Sequence, residues 1–230
     1  MALKTLHNNL YKHMDLKSVM GLEASHEEYA NIVTDCDIII NPNRVTVHGT
    51  WWDKISTLDN YYSEQYKHFF KERNMIGDVA LLETKILGIT FNDKRGSVDH
   101  SIAYTAGDTD GQYIIFPVYI EVKPYCSVKL TEHFYSDAQK RVHRIVYVLR
   151  EGATLELERH FHDTDNTCVQ IVENEIIQHP LSKLKIFTVA ENQHYLQDLY
   201  YVTAYTDTTT DIKGRYSAED DEAVHVITDI

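Results

Sequence analysis

The sequence predicts a mainly β protein wound as a parallel solenoid, with an α-helical region at its N-terminus. Two observations carry that prediction. Residues 120–134 and 147–161 are near-copies 27 residues apart, each copy spanning a strand end, a turn and the next strand. After residue 80, period-two alternation of β-branched and aromatic residues replaces the three- and four-residue spacing seen earlier.

The repeat sets IEVKPYCSVKLTEHF against YVLREGATLELERHF. Val122 meets Leu149, Lys123 meets Arg150, Cys126 meets Ala153, Val128 meets Leu155, Leu130 meets Leu157, His133 meets His160 and Phe134 meets Phe161. A weaker third copy follows, with Ser182, Leu184 and Ile186 matching Ala153, Leu155 and Leu157. Another strand lies between successive copies, so each repeat holds two strands. That is the arithmetic of a solenoid coil laying one strand on each of two sheets, with neighbouring coils about 4.8 Å apart. The small–x–aliphatic–x–aliphatic pattern then becomes one inward stripe, the small residue suiting a tight corner. The competing reading is an antiparallel sandwich whose copies match by accident.

In chain order, helices are expected around 4–20 and over 58–73. The second carries Leu58, Tyr61, Tyr62, Tyr66, Phe69 and Phe70 on one face, with Lys71 and Arg73 near its end. Trp51 and Trp52 read as packing anchors. Residues 1–78 are thus a mixed, helical capping region and 79–230 a β-helix domain. Strands are expected at Ile114–Val122, Ser127–Tyr135, Arg141–Leu149, Thr154–His162, Val169–Ile177, Lys183–Val189 and Tyr195–Tyr205. Turn-forming residues at 92–96, 107–111 and 162–166 separate several segments. The acidic stretch from Ala218 to Ile230 reads as a solvated turn or fraying tail.

Composition narrows the function classes. With 22 Lys+Arg against 35 Asp+Glu in 230 residues, the formal charge is −13. Such a surface repels phosphate, which argues against nucleic acid and anionic membranes as partners. Three scattered cysteines without a C-x-x-C, and an N-terminus lacking a signal-peptide core, point to a reducing, cytoplasmic setting. The longest nearly apolar run, 113–120, is too short for a membrane span of about 20 residues. The chain contains no P-loop, G-x-G-x-x-G, H-E-x-x-H or G-x-S-x-G motif, which disfavours nucleotide hydrolysis and standard serine hydrolysis.

One constellation has a geometric argument. His160 and His162 share a strand face, and His133 occupies the repeat position of His160, so the three imidazoles should meet on the face opposite Val128 and Leu155. With Asp163 and Asp165 near, they could chelate a first-row transition metal; a solvent-facing histidine ladder is the plainer reading. Cys126 falls on the inward stripe as a small core residue. Cys168, after a turn, is expected to be the more accessible thiol. Glu132 and Arg159 align and should pair across coils as a structural contact. The Asp108–Gly111 turn offers oxygen ligands without the rest of a calcium loop.

At the repeat the chain resembles the core of the SufB/SufD family of iron–sulfur cluster assembly proteins. The likeness covers roughly residues 114–215 and rests on the Glu151-Gly152-Ala153 turn followed by an alternating strand carrying Glu156 and Glu158, a pattern that members of the family repeat coil after coil. The resemblance implies a right-handed parallel β-helix acting as a non-enzymatic scaffold beside an ABC-type ATPase, with an iron–sulfur cluster as cargo. The family's C-terminal docking segment and cluster-linked cysteine and histidine have no match here, so no site residue is carried over. The alternative is a solenoid structural or interaction module, as in virus or phage particles, self-associating as a homodimer through strand edges. A histidine-based metal protein is the third possibility.

Overall fold

In a computed structural model, residues 36–40, 45–48, 87–92, 97–106, 113–135, 140–163, 168–218 and 223–229 are described. The helices expected at 4–20 and 58–73, the Trp51–Trp52 pair, Asp165 and the Asp108–Gly111 turn lie outside those residues. Thirteen strands run through the described part: β1 (Cys36–Ile40), β2 (Val45–His48), β3 (Leu87–Phe91), β4 (Ser97–Ala106), β5 (Tyr113–Val122), β6 (Ser127–Tyr135), β7 (Lys140–Leu149), β8 (Thr154–His162), β9 (Val169–Gln178), β10 (Lys183–Ala190), β11 (Tyr195–Ala204), β12 (Thr209–Tyr216) and β13 (Ala223–Asp229). No described residue is helical, and no described helix is long and apolar enough to cross a membrane.

The strands alternate between two sheets. One has the order β1-β4-β6-β8-β10-β12 and the other β13-β11-β9-β7-β5-β3-β2. From β3 onward every pairing is parallel and in register: Leu130 pairs with Leu157, and Leu157 with Ile186. This is a parallel β-solenoid of about four turns, so the sandwich alternative falls. Each coil advances the six-stranded sheet by one strand, from Ser97 to Ser127, Thr154, Lys183 and Thr209.

Inside, equivalent side chains stack in columns. Val128, Leu155 and Leu184 form one, and Leu130, Leu157 and Ile186 the next; facing them are Ile89, Ile120, Tyr147 and Ile176, all buried. Burial of each such side chain contributes about 1.5–3 kcal/mol. Parallel stacking of like on like fills the space between sheets with layers of similar volume, which suits close packing.

The corner leading into the six-stranded sheet is built the same way in three successive described coils. Cys126, Ala153 and Ser182 are buried there, as the small-residue pattern required. Their amide N–H groups bond to the carbonyls of Lys123, Arg150 and His179, closing four-residue turns. The third turn residue has positive φ each time: Tyr125 at 61°, Gly152 at 64° and Leu181 at 63°, with Asp207 at 58° in the next coil. Proline precedes two of them, so these are type II turns, which favour glycine at that place. Among these four described corners, only Gly152 supplies it.

Two features differ from the sequence expectation. β1 and β2, from the region read as a mixed, helical cap, are strands that lie antiparallel against β4 and β3. They close one end of both sheets, where a bare edge would expose unpaired backbone groups. The acidic tail is not a fraying end: Ala223–Asp229 forms β13, in register with β11, because Ala223, Val224, Val226 and Ile227 continue the β pattern past the acidic residues.

Candidate functional site

The expected histidine face exists. β6 and β8 alternate buried and outward residues, and His133, His160 and His162 all take outward positions. His133 pairs in register with His160, while His162 sits beside Tyr135. Ring centroids are 5.1 Å apart for His133–His160, 5.4 Å for His133–His162 and 6.2 Å for His160–His162.

The nitrogens, however, do not converge as a set of three. His133 Nδ1 lies 3.1 Å from His162 Nε2, whereas His160 Nε2 faces Glu158 Oε1 at 2.9 Å. Asp163 is engaged elsewhere, its Oδ2 accepting hydrogen bonds from the N–H groups of Cys168 and His194. Among the described residues no group of three or more His, Cys, Asp or Glu is arranged to hold a metal ion. Partial burial, then the neighbouring His160, lowers the His133 pKa; burial, then His133 and His160, does the same for His162. A groove of about 380 Å³ opens beside them, lined by His160, His162, Asp163, Glu191 and Asn192 among others.

Inside the solenoid lies a polar spine, of which only Glu132–Arg159 was legible beforehand. Both side chains are fully buried, with Arg159 Nε 3.5 Å from Glu132 Oε2. Tyr104 and Tyr147 donate to the two oxygens of Glu132 at 2.7 and 2.6 Å. Arg159 Nη1 reaches across to the other sheet, donating to Asp198 Oδ1 at 2.9 Å and to the Tyr200 hydroxyl at 2.7 Å. Asn174 and Tyr216 complete the shell of Asp198 at 2.9 and 3.1 Å, and the guanidinium packs over Phe134, Phe161 and Tyr200.

Burial pushes the Glu132 carboxyl above its ordinary value, against the pull of Arg159 and the two phenols. Burial and then Glu132 push Tyr104 and Tyr147 well up, so both remain donors, and burial with Asp198 lifts Tyr216 to about 12. Burial works against the Arg159 charge, but Asp198, the phenols and Glu132 hold the guanidinium protonated. The spine ties the two sheets together; buried groups of this kind are costly unless partnered. Parity could have found Asp198: in YLQDLYYV it falls on the same inward positions as Leu196 and Tyr200.

Cys126 and Cys168 are both buried. Cys126 meets the expectation. Cys168 does not: it is 2% exposed, and its N–H donates to Asp163 Oδ2.

The outer faces of the two sheets differ. On the seven-stranded sheet the outward residues Glu121, Val146, Val148, Ile171, Glu173, Leu199 and Tyr201 are buried. On the six-stranded sheet the outward row Asp99–Lys129–Glu156–Lys185–Asp211 runs across five strands in register, with charge alternating at every step. It borders a shallow groove of about 630 Å³ whose lining includes Phe187, 47% exposed. Lys185 and Glu156 pair at 3.1 Å across neighbouring strands.

No protein-family model, curated protein or solved structure matches this chain. The likeness to the SufB/SufD core therefore rests on the residues quoted for it.

Proposed function

We propose that this chain is a non-catalytic β-solenoid assembly module that pairs with a second copy of itself through the outer face of the six-stranded sheet. The reading rests on the contrast between the outer faces: one is buried, and the other carries an ordered charge ladder open to solvent. The ladder itself restricts how two copies can meet. Facing each other about a two-fold axis in full register, Asp99 would meet Asp211, Lys129 would meet Lys185 and Glu156 its own copy. Shifted by one strand, about 4.8 Å, every lysine meets an aspartate or glutamate. Complementary charge at such a face sets register and partner choice more than affinity.

Size-exclusion chromatography with light scattering tests this. The native chain should elute as a dimer at micromolar concentration, and the double variant Lys129→Glu/Lys185→Glu as a monomer with an unchanged circular dichroism spectrum. A monomeric native chain at high micromolar concentration, or a dimer indifferent to both charge reversals, would overturn it.

The SufB/SufD-like scaffold is the second reading, favoured by the Glu151-Gly152-Ala153 corner opening a strand of a parallel, in-register coil. It expects a cluster and an ATPase partner. Anaerobic reconstitution with iron and sulfide separates the two: visible charge-transfer absorbance supports the scaffold, and a colourless protein the assembly module.

A further inference from the structure

We propose that His133 and His162 form a two-coordinate site for a monovalent d10 cation, copper(I) above all. The argument starts from direction. The nitrogens are 3.1 Å apart, the ring centroids 5.4 Å, and the planes are within 22° of each other. Taking the two ring radii from the centroid spacing leaves about the nitrogen–nitrogen distance, so both nitrogens lie on the line joining the rings. Each in-plane lone pair points at the other. Donors of a tetrahedral zinc site converge on a point off that line. Opposed donors suit an ion that takes two ligands in line, and imidazole is a good donor to copper.

The geometry needs little adjustment. Two metal–imidazole bonds of about 2 Å each place the nitrogens about 4 Å apart, so the pair must open by about 0.9 Å. Both rings are on the outer face and partly exposed, and the groove beside His162 gives an approach. Their planes are already set. His160 stacks on His133 at 5.1 Å, and Tyr135 stacks on His162 at 4.7 Å. His160 is outside the donor pair because its Nε2 faces Glu158.

Proton balance is simple. Without metal, one of the two facing nitrogens carries the hydrogen that the other accepts. On binding, that hydrogen moves to the outer nitrogen of the same ring, His133 Nε2 or His162 Nδ1. The ion takes both freed lone pairs, and no net proton is released.

The test is a titration of the native protein with silver(I), a redox-inert probe, and with copper(I) under anaerobic reducing conditions, read by imidazole carbon–proton NMR. The thiols compete for either ion, so the readout is the ring signals and not total uptake. The His133 and His162 rings should shift together, and His133→Gln or His162→Gln should each abolish the response of the remaining ring. His160→Gln should leave it intact, and His162→Phe, which keeps the stacking on Tyr135, should abolish it without disturbing the fold. Uptake with both rings unmoved would overturn the proposal. So would a response that His160→Gln removes equally, or zinc(II) shifting all three rings at lower concentration.

Discussion

Arg159 stands one strand from Glu132 and 39 residues from Asp198, and it joins the two carboxyl groups across the interior of the solenoid. Breaking a buried pair by removing one partner leaves an uncompensated charge and costs about 3–5 kcal/mol. Arg159→Met should therefore lower the urea midpoint by that equivalent, although methionine fills much of the space. A loss under 1 kcal/mol would show that the spine contributes little beyond packing.

Two buried glutamates should show opposite pH signatures. The folded-state pKa of Glu132 is raised by burial from the ordinary 4.5. Below that value both states are protonated; as pH rises the unfolded chain ionises first, so stability falls until the folded carboxyl also ionises. For Glu121, burial pushes the carboxyl up, but hydrogen bonds from Lys123 and Arg150 more than offset it and hold it below 4.5. Its contribution is present above 4.5 and lost as pH falls through the folded value. Denaturation midpoints against pH check both signs: Glu132→Gln should remove the decline on the alkaline side, and Glu121→Gln the loss on the acid side. Unchanged profiles in both variants would refute the assignment.

The corner turns offer a matched pair. At Gly152 an added Cβ would meet the Tyr125 ring at 2.5 Å, and φ is +64°. Gly152→Ala should cost about 1–3 kcal/mol from strain and contact together. Leu181 holds the same conformation at 63° with its side chain exposed. Leu181→Gly relieves strain of about 1–2 kcal/mol and adds chain entropy of about 0.5–1 kcal/mol, so it should not destabilise. Thermal melts compare the two; equal losses would mean that the conformation is not what matters.

The charge ladder predicts a salt-dependent penalty. Glu156 sits between Lys129 and Lys185 in register. Glu156→Lys sets three like charges in a row, and like charges directly opposite on neighbouring strands cost about 0.2–1 kcal/mol each. The variant should lose about 1 kcal/mol at low ionic strength and recover much of it in 1 M salt, where the Debye length is about 3 Å. A loss that salt does not touch would point to packing instead.

Much of the coil was readable because it is periodic. A shift of 27 residues with matching aliphatics placed Leu130 on Leu157 and Glu132 beside Arg159, and alternation placed the histidines outward. β1 and β2 are short and sit amid residues of mixed pattern, so nothing local marked them as the closing strands. β13 was hidden by the four acidic residues before it, whose charge reads as a tail.

Residue order alone determined the coil length, the strand register and the inward stripe, because strand periodicity and the fixed spacing between strands relate positions one rung apart. The tertiary structure decided what spans the rungs and the sheets. Asp198 completes the shell of Arg159, Cys168 is buried, and His133 faces His162 and not a shared centre. Those relations depend on the gap between sheets and on the direction of each side chain, neither of which has a period in the sequence.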